Sequence, residues 1–359
     1  MSVDSVEGRL LGVIEGCTNP ESAELLEDGE TFVFGNCRLD VGFEWFRDGA
    51  GLVYLAGEAF VSRARLSTAG EVSLEERVLL GGLTTTLGCD VIRVGGGALP
   101  RGTVVMAVGG KPVTGDGRGP APADPHLLAF DPVSGDVLGR IGLGEGSPVA
   151  KRFEPLEMPN GLAVDPDGTI YVTDNPHTNP APDPAAPSPS TPAVYRIPAG
   201  AVRGLLGDDP AAATDVRRVE MPGFSNGTTA SPVDGACWAV SCSPTDPARG
   251  GVYRLADEAF ATGVQPPPFR RDLGVLDGVG VTRRGTVLAG NPLEGVIHAF
   301  KPDGGHAVVR GLPDGVMPAD FNVTYPRCLD GEPALLVPDI AVGKPVGGGS
   351  VFVLAVAGL

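Results

Sequence analysis

Short apolar runs bounded by Gly, Pro, Asn and Asp recur along the whole chain, and no long segment keeps the spacing of an amphipathic helix. The stretch "MPNGLAVDPDGTIYVTDN" (residues 158–175) shows the unit: a polar Asn-Gly pair, an apolar run, an Asp-Gly turn and a second apolar run. Asp-Gly supplies the positive φ angles of a tight hairpin, so the runs on either side read as paired strands. The same order returns in "SNGTTASPVDGACWAVSC" (225–242) and, headed by Asp-Gly, in "LDGVGVTRRGTVLAGN" (276–291). Looser copies are "NPESAELLEDGETFVFGN" (19–36), "GCDVIRVGGGALPRGTVVMAVGG" (88–110) and "PADFNVTYPRCLDGEPALLVPDI" (318–340). Further strands such as "LVYLA", "HLLAFD", "AVYRI", "GGVYRL", "GVIHAF" and "GSVFVLAV" follow the hairpins.

Six units of this kind predict an all-β fold, a six-bladed β-propeller whose blades stack around a channel because none can cover its own faces. The blades are expected at residues 18–66, 85–142, 156–220, 222–273, 275–310 and 316–358, together one domain. The short N-terminal strand in "RLLGVIEG", taken as residues 8–15, is expected to complete the last blade and close the ring, since no other late strand is left for it. A sandwich with a second domain is the rival reading, but it leaves the shared polar residue before each hairpin without a reason.

That polar residue carries the chemistry. An innermost propeller strand begins at the channel, which places Glu21, Asp90, Asn160, Asn226, Asp277 and Asp320 around one end of it. Carboxylates gathered in a partly desolvated pit are costly without a counter-charge. A hard divalent cation with oxygen ligands is the economical solution, and the donors suit Ca²⁺, with Mg²⁺ or Mn²⁺ as substitutes. Zn²⁺ fits less well because no His or Cys converges there. Taken singly, each Asn-Gly or Asp-Gly is an ordinary turn pair; the repetition is what marks them.

With those residues in view, the chain resembles the senescence marker protein/gluconolactonase family of six-bladed propellers, many of them metal-dependent lactonases. "PESAELLEDG", "PNGLAVDPDGTIYVTDN" and "SNGTTASPVDGACWAVS" carry the likeness in blades one, three and four. The order Glu, Asn, Asn, Asp is also similar to the catalytic calcium site of paraoxonases and diisopropyl fluorophosphatase. The resemblance implies Glu21, Asn160, Asn226 and Asp277 as metal ligands. Three departures accompany it. Blade two reads "TLGCDVIRV" and lacks, in register, the Arg and Asn that gluconolactonases use for sugar hydroxyls. Asn226 stands where that family usually has Asp, and Asp90 and Asp320 stand where paraoxonase-like enzymes use His.

The reading that follows is a Ca²⁺-dependent hydrolase of a lactone or related ester. Asp277 is both a ligand and a candidate nucleophile, and Asp90 or Asp320 is the candidate general base. A cyclase or condensation enzyme on the same scaffold, or a non-enzymatic propeller that binds a small molecule, are the alternatives. Long loops after the second strands, including the Pro-rich stretch at 175–193 and the aromatic residues Phe43, Trp45 and Phe46, would wall a small-molecule pocket on the metal face. His126 and His177 fall on that face, while His298 and His306 fall in outer strands.

Charge and cysteine content narrow the partners. A formal net charge of −17 argues against nucleic acid and anionic membranes. No apolar run reaches the ~20 residues that span a bilayer. The start "MSVDSVEGRLLGVIEG" lacks the apolar core of a signal peptide, and the six scattered cysteines read as reduced thiols. Both point to the cytoplasm.

Overall fold

The computed structural model describes residues 4–38, 54–95, 97–110, 112–113, 124–176, 190–242 and 250–359. Six sheets stand around an axis as the blades of a β-propeller, each strand antiparallel to the next within its blade. Blade one comprises Ala23–Leu25, Thr31–Asn36, Ala59–Leu66 and Val72–Leu83. Blade two comprises Cys89–Val91, Val104–Val108, His126–Phe130 and Val137–Gly142. Blade three follows with Pro159–Val164, Ile170–Asp174, Ala193–Ile197 and Arg217–Glu220. Blade four has Phe224–Ala230, Cys237–Cys242, Gly251–Leu255 and Arg270–Arg271. Blade five has Val279–Val281, Val287–Asn291, Val296–Phe300 and His306–Arg310. Blade six uses Asn322–Thr324, Ala334–Asp339 and Gly349–Ala355 from the end of the chain.

The fourth strand of blade six is Arg9–Cys17, paired antiparallel with Gly349–Ala355, so the two ends of the chain close the ring as expected. It runs two residues beyond the expected end at 15. A short piece before it, Asp4–Glu7, was not anticipated; it lies parallel to His306–Arg310 as a fifth strand on blade five. Gly8 is the crossing point between the two blades. A Cβ there would meet the Arg310 carbonyl oxygen at 2.6 Å and the Leu354 side chain at 2.8 Å, so only glycine lets the chain pass. Blade one also extends past its expected limit at 66, because Val72–Leu83 forms its outer strand.

The hairpins follow the turn chemistry of the sequence. In blade three the Asp165 carboxylate accepts N–H bonds from Asp167 (3.0 Å) and Thr169 (3.1 Å), and Gly168 takes φ +90° to bring the second strand back. The second strands of the blades read as nearly unbroken apolar runs because both faces are buried, whereas outer strands such as Val72–Leu83 are largely exposed. Successive side chains point to opposite neighbours: Phe32 and Phe34 pack against blade six, and Val33 between them packs against blade two. The core is accordingly six clusters, one at each blade interface, such as Leu127, Ile141, Val172 and Tyr195 between blades two and three.

Helices are short and peripheral; Ala199–Leu206 and Asp257–Thr262 join the third and fourth strands of blades three and four. None among the described residues is long and apolar enough to cross a membrane. Tyr54–Leu55 and Pro112–Val113, from the loops after the second strands of blades one and two, pair as a short parallel ladder. The five cysteines whose side chains are described are free thiols.

Because closure depends on Arg9–Cys17, a chain lacking residues 1–15 should lose the seal between blades five, six and one. Its melting temperature, read by circular dichroism, is expected to fall by roughly 10 °C or more. An unchanged melting curve would show that blade six closes without its outer strand.

Candidate functional site

The residue that heads each innermost strand is fixed by contacts between neighbouring blades. The Gly88 N–H donates to the Asn160 carbonyl (2.8 Å), the Gly227 N–H to that of Asp277 (2.9 Å) and the Asp320 N–H to that of Glu21 (2.9 Å). The Ser22 hydroxyl donates to the Leu87 carbonyl. Gly161 and Gly278 sit so close to the next blade that a Cβ would lie 2.7 Å from the Asn226 carbonyl oxygen and 2.6 Å from that of Ala319. The six heads are therefore Glu21, Leu87, Asn160, Asn226, Asp277 and Ala319. Their successors, tight against the next blade, are Ser22, Gly88, Gly161, Gly227, Gly278 and Asp320.

Four of the six heads are the residues expected to meet at the axis. All four are buried, and each has a side-chain oxygen with no hydrogen-bond partner among the described residues: Glu21 Oε2, Asn160 Oδ1, Asn226 Oδ1 and Asp277 Oδ1. The Asn226 amide donates from Nδ2 to the Leu276 carbonyl (3.4 Å), which leaves Oδ1 as its free oxygen. Orphaned buried acceptors are rare because each costs the desolvation of a polar group. Here four come from corresponding positions in four blades, and the remaining heads, Leu87 and Ala319, offer them no donor.

Burial, and after it the charges of Asp277 and Asp320, push Glu21 well above the usual carboxylate range. Burial pushes Asp277 up to about 7. The donor set is all oxygen and hard, which fits Ca²⁺ or Mg²⁺ rather than a soft ion. Among the described residues no three His, Cys, Asp or Glu side chains gather as a metal cluster; the ring has four donors because two are asparagines. Cys37 lies near it, but burial and the Glu21 charge push its thiol up to about 12, and it donates to the Thr86 carbonyl.

Two expected ring members lie elsewhere. Asp90 is three residues past the head of blade two, near the opposite mouth of the channel. Its carboxylate accepts the N–H groups of Val91 and Val164 (both 2.7 Å) and pairs with Arg93 at 2.6 Å. Arg93 also pairs with Glu24, and these three residues line a cavity of about 520 Å³ at that mouth. A carboxylate so engaged is no base for a water at the ring. Asp320 is one residue past its head. Its Oδ1 would be 2.7 Å from a Cβ on Gly227, across the channel and just below the ring. Burial and the charges of Asp277, Asp90 and Glu24 raise it well above the ordinary value.

His126 is buried at the start of the third strand of blade two, where burial lowers its pKa and Nδ1 lies 2.6 Å from the Asp124 carbonyl oxygen. His298 and His306 lie in the outer half of blade five, with rings stacked on Phe300. His177, Phe43, Trp45, Phe46 and most of the Pro-rich stretch lie outside the described residues. The heads that the sequence reading missed, Leu87 and Ala319, are apolar; the available signal was Leu-Gly at 87–88, matching Asn-Gly in blades three and four.

The metal-free protein should therefore resist melting best in mild acid. Glu21 and Asp277 hold protons in the folded state above the ~4 at which an unfolded carboxylate releases them. Their contribution to stability is full below that value and is lost as pH rises through about 7 for Asp277. Melting temperature after chelation is expected to be higher at pH 5 than at pH 8, with a flatter profile in Asp277→Asn. A wild-type profile that rises toward pH 8 would contradict this charge arrangement.

An NHL repeat matches residues 156–178, the hairpin that carries Asn160. No curated protein matches the chain. Solved structures similar to it include the gluconolactonase XC5397 from Xanthomonas campestris, at 17% identity and TM-score 0.55, with 99% of this chain and 97% of that one covered. A candidate gluconolactonase is similar at 15% identity and TM-score 0.52, over 98% of this chain and 93% of its own. A luciferin-regenerating enzyme is similar at 13% identity and TM-score 0.54, over 97% of both chains. The structural neighbours are thus gluconolactonase-like six-bladed propellers, and this chain shares their fold.

Proposed function

We propose that the protein is a divalent-cation-dependent hydrolase of lactones or related esters, with Ca²⁺ as the ion its donors fit best. The observation that carries the reading is the set of four unpartnered oxygens on Glu21, Asn160, Asn226 and Asp277. Likeness to structures named as gluconolactonases supports the reaction class.

In this reading Glu21, Asn160, Asn226 and Asp277 hold the ion. A bound Ca²⁺ supplies Lewis-acid polarisation of a carbonyl and stabilisation of the developing oxyanion. Asp277 uses Oδ1 toward the ring, and its second oxygen is the candidate nucleophile. Attack on the lactone carbonyl carbon would break its C–O bond and form an anhydride with Asp277, and the expelled alkoxide would take a proton from water to become the hydroxyl end of the product. A water would then split the anhydride, giving the product carboxylate, restoring the Asp277 carboxylate and releasing a proton. Leu87 and Ala319 keep the ring dry on two sides, which strengthens the field felt by a polar substrate. Asp320 lies one residue past the head of blade six, close enough to affect Glu21, and with Asp90 engaged by Arg93 it is the candidate general base for the attacking water. The substrate is a small molecule entering from the face at which the second strands of the blades end.

Hydrolysis of a panel of lactones and aryl esters is expected to stop on chelation and to return with added Ca²⁺. Asp277→Asn and Glu21→Gln should each lower kcat/KM by roughly 10²- to 10³-fold. Full turnover after verified removal of metal would exclude the mechanism. Absence of turnover on every ester, combined with a lower melting temperature after chelation, would instead favour a binding propeller whose ion ties the blades together.

A further inference from the structure

We infer that in blades one, three and five the polar residue ending the second strand is a positioning residue for the ring, acting through the backbone that leads into the head. The inference rests on the metal-binding reading above. A head residue has ladder bonds after it, but the segment before it is irregular and must be held by something else. In blade one, Asn36 Oδ1 accepts the N–H of Thr18 (2.9 Å), three residues before Glu21. Its amide then donates to Ser62 Oγ (3.0 Å), whose hydroxyl donates to the Arg77 carbonyl, so one chain of bonds, buried at its inner end, crosses the whole blade. In blade three, Asp174 Oδ1 accepts the N–H groups of Glu157 (3.2 Å) and Met158 (2.8 Å), just before Asn160.

The device repeats with different chemistry. Asn291 in blade five donates to the Leu273 carbonyl (2.8 Å), four residues before Asp277. Asp339 in blade six accepts the Met317 N–H (3.0 Å), two residues before Ala319. Blade two reverses it: the Thr85 hydroxyl, two residues before Leu87, accepts from Gly109 N–H (2.8 Å) at the end of the second strand. All four Asn and Asp clamps are buried, at 2% exposure or less. Each stands beside the approach segment because antiparallel pairing puts the end of strand two next to the start of strand one, as in Pro159 opposite Asp174. Ligands held to a fraction of an ångström need such support, and loss of an outer partner commonly weakens metal binding by about 10- to 100-fold.

Blades two and six supply internal controls, because their heads, Leu87 and Ala319, contribute no oxygen, and blade two is the one tested. Calcium affinity is measured by isothermal titration calorimetry, and metal-free melting by circular dichroism, on the full chain. Asn36→Ala and Asp174→Ala are expected to raise the Ca²⁺ Kd by about 10- to 100-fold. Asp174→Asn, which keeps the Oδ1 acceptor, should recover most of that loss and covers the case in which Asp174→Ala does not fold. Thr85→Ala should melt earlier by a similar amount yet leave Kd within about threefold of wild type, since it loses a comparable bond but no ring ligand. Unchanged Kd in the Asn36 and Asp174 variants, or an equal loss in Thr85→Ala, would overturn the positioning role alone. A wild-type chain that binds no Ca²⁺ would overturn both this role and the metal reading.

Discussion

Each blade of this protein is a sheet with two apolar faces, and neither can be buried without a neighbour. Phe32 and Phe34 need blade six, Val33 needs blade two, and the same alternation runs through Leu335 and Leu336 in blade six. Mutual burial forces the sheets into a closed ring and brings six innermost strands to one axis. Arg9–Cys17 completes the ring by giving blade six its outer strand from the opposite end of the chain. Everything at the axis depends on that closure, since no blade could place its head residue alone.

Convergence at the axis creates a charge problem, solved differently at the two ends. Toward the far mouth, Glu24 and Asp90 share the guanidinium of Arg93, and Asp90 also accepts two backbone N–H groups, so this end of the channel has a counter-charge from within the chain. At the ring, no Lys, Arg or His among the described residues pairs with Glu21 or Asp277, and each keeps an unpartnered oxygen, as do Asn160 and Asn226 at the corresponding positions of their blades. Asp320 lies between, close enough to both sets to be raised by Asp277, Asp90 and Glu24. Its carboxylate reaches across the channel only because the position it approaches is Gly227. Among the described residues the ring is the end of the channel without a cation of its own, and a divalent ion is proposed there.

Fold and much of the ring were legible in the sequence because both rest on local chemistry. Asp-Gly turns, two-sided apolar strands and Asn-Gly heads are each visible within a dozen or so residues. Asp90 was misplaced because a polar residue looked like the head of blade two. The head is set instead by Gly88, whose close contact with the Asn160 carbonyl is a relation between blades. Asp320 was one residue off for the same reason: it occupies a position that is glycine in four blades, so the sequence offered no Gly to mark the register. The outer strand Val72–Leu83 escaped notice because it is largely exposed and pairs through repeated irregularities, which blur any period. Asn36, Asp174, Asn291 and Asp339 were visible as polar ends of apolar runs, but their partners lie in the approach to the preceding strand and emerge only when the hairpin is folded.

The most direct measurement is an anomalous difference map from crystals grown with Mn²⁺, a hard ion that takes the same oxygen donors as Ca²⁺ and Mg²⁺. A single strong peak within bonding distance of Glu21 Oε2, Asn160 Oδ1, Asn226 Oδ1 and Asp277 Oδ1 is the predicted result. A peak elsewhere in the channel, or a ring in which those four oxygens bond to other protein groups around no ion, would contradict it.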